Sequence, residues 1–120
     1  MQDINLKNLN ELLAMLKKGE FLEGMERFLH ADVQIREIGQ EPKKGKAHCM
    51  KVEEDILSGV AEFIQYTAHT IGSNNDDTTF YEATMEFKTK DGQHVKQAQA
   101  VVTTWKDGLI LDERYYHPNA

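Results

Sequence analysis

The chain has 120 residues, 40% hydrophobic and 28% charged, the size and make-up of a single globular domain. Its formal net charge is −6, with no run of Lys or Arg longer than two. That balance excludes the basic stripe that a nucleic-acid backbone or an anionic membrane surface requires, so neither is expected as a partner.

The first leucines are spaced out by polar residues, which is the pattern of neither a signal peptide nor a membrane span. Leu6, Leu9, Leu13 and Leu16, with Leu12 beside them, recur at three- and four-residue steps and predict an amphipathic helix. Asp3 or Asn5 can cap its start, and Lys17, Lys18 and Gly19 are a sound stop. A shorter helix carries Phe21, Met25, Phe28 and Leu29 on one side and ends near His30. An opening strand follows, about Val33 to Ile38.

A loop holding Gly39, Pro42 and Gly45 leads into a third helix, with Cys49, Val52 and Ile56 on one face and Gly59 as its stop. Cys49 is the only cysteine. It can make no internal disulfide and, alone, no zinc site, so the expected setting is a reducing cytoplasm.

After Gly59 the periodicity changes. Four strands are expected, about Ala61–Ile71, Thr78–Lys88, Gln93–Trp105 and Leu109–His117. Asp91-Gly92 and Asp107-Gly108 between alternating runs are strong hairpin signals, so these strands form an antiparallel meander. The order α-α-β-α-β-β-β-β predicts one α+β domain over residues 1–120, three helices packed on a curved antiparallel sheet. In the third meander strand Val95, Gln97, Gln99, Val101, Thr103 and Trp105 share one face. Ala98, Ala100 and Val102 still put apolar groups on the other. Both faces are therefore expected to be covered, one by the helices and the convex one by a second copy of the chain.

Several short motifs then combine. Lys18-Gly19-Glu20 joins the first two helices, His30-Ala31-Asp32-Val33 opens the first strand, and Gly45-Lys46 opens the third helix. Trp105-Lys106-Asp107-Gly108-Leu109-Ile110 forms the last hairpin, before Glu113-Arg114-Tyr115-Tyr116. Over nearly the whole chain this resembles the SnoaL-like branch of the nuclear transport factor 2-like (NTF2-like) superfamily, which includes ketosteroid isomerases. The resemblance implies a cystatin-like, cone-shaped α+β barrel, usually dimeric, with a small-molecule pocket between sheet and helices. It does not fix an activity.

In the isomerases the general base is an aspartate shortly before a Gly-x-Glu-Pro loop, which Gly39-Gln40-Glu41-Pro42 matches. A straight count puts the equivalent position at Arg36, and a slip of one residue puts it at Glu37. The two oxyanion donors of those enzymes fall at Leu12 and near Val101, so neither is present. Steroid isomerisation by that route is therefore not expected.

Glu37 is a candidate general base or substrate-binding carboxylate, against the plainer reading of a strand-end residue paired with Arg36, Lys43 or Lys44. Leu111, Glu113, Tyr115 and His117 share one parity of the last strand. The resemblance turns them toward the cavity, where a carboxylate, a phenol and an imidazole could serve acid–base work or ligand binding. Glu37, Glu113 and His117 are the catalytic candidates. Arg36, His69, Gln99, Tyr115 and Trp105 are the ligand-contact candidates, Trp105 having the competing reading of a packing residue. Tyr66 and His69 lie on opposite parities, so both cannot face the cavity. No His or Cys spacing suits a metal, and no phosphate loop occurs, so neither metal nor cofactor is expected. Two readings follow: a cofactor-free isomerase, cyclase or dehydratase for a small apolar carbonyl or hydroxyl compound, or a non-catalytic dimeric module binding a ligand or partner.

Overall fold

The computed structural model describes residues 3–117. Helix α1 spans Ile4–Lys17, with the Asp3 carboxylate accepting from the backbone N–H of Asn5 (3.1 Å) and Leu6 (3.0 Å) at its start. Those bonds satisfy two of the donors that a helix leaves free at its N-terminus. Leu9, Leu12, Leu13 and Leu16 are its buried stripe. Gly19, at φ +80°, turns the chain into α2, Phe21–Phe28. Strand β1, Leu29–Glu37, is followed by a two-residue strand β2, Lys43–Lys44, and by helix α3, Lys46–Leu57. The meander is β3 (Val60–Ser73), β4 (Thr78–Thr89), β5 (His94–Lys106) and β6 (Leu109–Tyr116). At the last hairpin Asp107 and Gly108 both take positive φ, 54° and 79°, the backbone that a two-residue turn between twisted strands requires.

The chain thus forms the α+β cone expected of it, with two differences of detail. The sheet, in order β2-β1-β6-β5-β4-β3, is mixed: β1 runs parallel to β6, pairing Ile35 with Glu113 and Glu37 with Tyr115. No hairpin joins these two strands, so nothing in the turn chemistry dictated their sense. The sheet is also not closed, because its edge strands β2 and β3 do not pair.

Strand β3 carries three of the sheet's irregularities. Against β4 the register slips between Val60 and Glu62, Phe63 and Gln65, and Ala68 and Thr70. Each slip leaves an extra residue, Ala61, Ile64 or His69, and bends the strand. Phe63 and Tyr66, of opposite parity, consequently both line the interior.

The narrow end of the cone is the core. Leu9, Val33, Val101 and Ile110 pack there with Phe28 and Trp105. Trp105 Nε1 donates to Thr79 Oγ1 over 2.8 Å, and the indole meets the Phe28 ring edge-on. The convex face of the sheet leaves Phe80 and Tyr116 exposed.

Candidate functional site

Between the helices and the concave face lies a cavity of ≈ 500 Å³. Leu12 and Leu16 of α1, Phe21 of α2, Phe63 of β3 and Met85 and Phe87 of β4 give it apolar walls. Ile56 of α3 stands at its mouth, 53% exposed, so an apolar helix face is spent on the cavity rather than on the core.

Glu113 lies deep inside, 6% exposed. It is there because Glu113 and Tyr115 alternate inward along β6, continuing from Ile110 across a bulge at Leu111, and β1 and β5 flank that strand on both sides. Burial pushes its carboxyl up to about 7, with the charges of Glu53 and Asp112 acting in the same direction. The Tyr115 hydroxyl, donating to Glu113 Oε1 over 3.0 Å, works against that rise by favouring the ionised form. A carboxyl poised near neutrality can both take and return a proton.

A second polar group lines the same concave face. The Tyr66 and Tyr81 hydroxyls are 2.8 Å apart, and Gln99 Nε2 donates to the Tyr66 oxygen over 2.9 Å. Burial raises Tyr66 to about 12 and Tyr81 well above its ordinary value, so both remain phenols at neutral pH. Two phenols carry two hydroxyl hydrogens, and the bond between them uses one. Among the described residues no other acceptor takes the second, so the pair keeps one hydrogen free for a ligand oxygen.

The mouth carries the charges. Glu37 Oε2 is 3.9 Å from Lys43 Nζ, and Glu37 Oε1 is 3.5 Å from His117 Nε2. Glu53 of α3 lines the same region. Its carboxyl is raised mainly by burial, with Lys43 opposing and Glu37 adding to the rise. Cys49 sits beside them, its thiol raised by burial.

Glu37, Glu113, Tyr115 and Gln99 therefore meet in one cavity, and four other sequence candidates lie outside its lining. Of the two neighbours on β1, Glu37 follows the inward parity of Val33 and Ile35. Arg36 points to the other face, where it pairs with Asp112 at 3.2 Å. His69 is the extra residue of a bulge and bonds Thr84 Oγ1 on the convex side. Trp105 is on the inward face but deeper in the cone, covered by Phe28, and belongs to the core. His117 stands behind Glu37 rather than in the cavity.

Two contributors, Glu53 and Tyr81, escaped the sequence reading. Glu53 is four residues after Cys49, so the helix period already put the two on one face. Tyr81 shares the parity of Met85 and Phe87. Lys43 was expected as one possible partner of Glu37, and the two are 3.9 Å apart. Among the described residues no group of three or more His, Cys, Asp or Glu side chains is arranged to hold a metal ion.

No family model matches the sequence, and no curated protein matches it. Solved structures do match by shape. An NTF2-like protein of unknown function from Burkholderia pseudomallei is 13% identical, with a TM-score of 0.81 over 98% of this chain and 92% of that one. A LEH-like epoxide hydrolase from M. tuberculosis is 18% identical, with a TM-score of 0.80 over 97% and 84%. A proposed SnoaL-like polyketide cyclase from Mesorhizobium loti is 18% identical, with a TM-score of 0.79 over 92% and 96%. The chain has the SnoaL-like, NTF2-like fold. At these identities the likeness concerns the fold, and what the NTF2-like cone does in this chain rests on the cavity itself.

Proposed function

We propose that the chain is a cofactor-free acid–base catalyst of isomerase, cyclase or dehydratase type. Its substrate is a small apolar molecule bearing a carbonyl or hydroxyl, and Glu113 carries the proton. One observation supports this above the others: a carboxyl 6% exposed, held near neutrality, with a single phenolic donor on it and apolar walls around it.

The sequence offered Glu37, Glu113 and His117 for proton transfer. The deeper burial of Glu113 favours giving that step to Glu113 and leaving Glu37 at the mouth. The ionised carboxylate removes a proton from the carbon beside a carbonyl. The C–H electron pair moves onto the oxygen, which the free hydrogen of the Tyr66–Tyr81 pair stabilises. The protonated Glu113 then returns its proton, either to another carbon, which is isomerisation, or to a departing hydroxyl, which leaves as water.

The isomerase donor positions are empty of donors here, since Leu12 and Val101 hold them. The spare tyrosine hydrogen favours catalysis over plain binding all the same. The named activities of the structural neighbours lend support by analogy of fold alone, and no substrate is carried over from them.

Nitrobenzisoxazole tests the reading without knowledge of the natural substrate. A base removes its ring C–H, the N–O bond breaks, and a coloured cyanophenolate leaves. The wild-type chain is expected to accelerate this reaction, and Glu113→Gln to abolish the acceleration while melting at the same temperature or higher. Equal turnover by the Gln variant contradicts the assignment.

The proposal extends to assembly and setting. A second copy docks on the convex face, where Phe80 and Tyr116 are exposed. That face has Arg36 and Arg114, which share Asp112, on its β1–β6 half, leaving a net positive charge there, and Glu82 on β4. A two-fold axis along β5 sets each half against the other, so the charges are self-complementary. Light scattering at micromolar concentration is expected to read twice the chain mass, and a monomer contradicts this. The buried free thiol of Cys49 suits a reducing cytoplasm. No helix among the described residues is long and apolar enough to cross a membrane.

A further inference from the structure

The cavity's charges make a demand on its ligand beyond the acid–base reading. Three carboxylates line it, Glu37, Glu53 and Glu113, and among the described residues Lys43 is the one cationic side chain in the lining. Lys43 is already shared. Its Nζ is 3.9 Å from Glu37 Oε2, and its charge also acts on Glu53. His117, behind Glu37, adds a positive charge only when protonated. The mouth therefore holds two carboxylates to one ammonium, and the interior a third carboxylate whose only bonded partner is a neutral phenol. An acidic surface alone would say little, because water screens it. Here the carboxylates stand partly desolvated against an apolar cavity, where an uncompensated charge interacts strongly.

The deep end carries a different demand. The spare hydrogen of the nine-tenths-buried Tyr66–Tyr81 pair needs an acceptor, and the walls between are aliphatic and aromatic. We infer that the cavity takes a cationic amphiphile: an oxygen acceptor held deep at Tyr66–Tyr81, an apolar body along Phe21, Phe63 and Phe87, and an ammonium at the mouth beside Glu37 and Glu53. This deepens the acid–base reading by naming its substrate class and rests on the same cavity. An amine at the mouth completes the charge balance that Lys43 leaves open. A carboxylate head group at the mouth meets Glu37 and Glu53, with Glu113 behind them, so the same arrangement rejects acids.

Phenylbutylamine, phenylbutanol and phenylbutyrate share one body and differ in the charge of the head group. Calorimetry at pH 8 and about 0.15 M salt, where distant surface charges are largely screened, compares them on the full chain. The amine is expected to bind at least about tenfold more tightly than the alcohol, and the acid at least about tenfold more weakly. The double substitution Glu37→Gln with Glu53→Gln is expected to bring amine and alcohol within about twofold of each other. Circular dichroism checks its folding, and the wild-type ranking stands as a test without the variant. An acid binding as tightly as the amine overturns the inference. So does an amine advantage that survives the double substitution, or no binding of any probe. Because the readout is binding, the result is separate from the fate of Glu113: the same titrations in Glu113→Gln keep the amine preference even if turnover of nitrobenzisoxazole assigns the base elsewhere.

Discussion

The Tyr115 hydroxyl donates to Glu113 Oε1 over 3.0 Å, from two residues further along the same strand. Both side chains face inward because the strand alternates, so the local repeat of β6 builds the pair without help from a loop. The bond holds the carboxyl in one orientation and moderates a rise caused by burial. Tyr115→Phe removes that moderation. The pH midpoint of nitrobenzisoxazole turnover is expected to move upward by about one to two units, the worth of one hydrogen bond to a charged group. A midpoint unchanged or lowered, read from the pH–rate profile, contradicts the role.

The same burial has a consequence for stability. Glu113 has an ordinary value of 4.5 and a folded value of about 7, so between these values the folded chain holds more protons than the unfolded chain. Stability is then greatest below the lower value and is lost as pH rises through the upper one. The loss amounts to roughly 3 kcal/mol by the standard conversion of a pKa shift. Thermal melts from pH 5 to pH 8 are expected to fall, and Glu113→Gln, neutral throughout, to flatten that part of the slope. Parallel curves for the two proteins contradict the burial argument.

The tyrosine pair is expected to act on the transition state. Replacing both Tyr66 and Tyr81 with Phe removes the free hydrogen and leaves Gln99 without its acceptor. Turnover of the probe is expected to drop about 10²-fold or more, mostly in kcat, because the donor serves developing negative charge. A change confined to KM shows the pair to be a binding element only.

Trp105 is expected to behave as a structural residue. Trp105→Phe orphans the buried Thr79 hydroxyl and loosens the contact with Phe28. Chemical denaturation is expected to show a loss of roughly 1–3 kcal/mol. The pH midpoint of turnover stays where it was. A shifted midpoint places the indole closer to the chemistry than the core position allows.

Much of this was legible in the sequence. Asp107-Gly108 fixed one hairpin, the leucine spacing fixed α1, and Asp3 was readable as its cap. Parity along β6 grouped Glu113, Tyr115 and His117, and parity on β1 separated Arg36 from Glu37. What was not legible has physical causes. The bulges of β3 break the two-residue period, so Phe63 joins Tyr66 inside although alternation puts them on opposite faces. His117 lies past the end of β6, where alternation no longer dictates direction, and it falls behind Glu37. The parallel pairing of β1 with β6 joins distant parts of the chain and leaves no local trace. The depth of Glu113, on which its proton affinity depends, is a property of the assembled sheet and helices and of no single strand.

Carbon-13 NMR of glutamate carboxyls reads that proton affinity directly. Comparison with Glu113→Gln assigns the resonance. This carboxyl is expected to titrate near pH 7, and nitrobenzisoxazole turnover to rise with the same midpoint. Titration at the ordinary value near 4.5, or a turnover midpoint unrelated to the Glu113 resonance, contradicts that expectation.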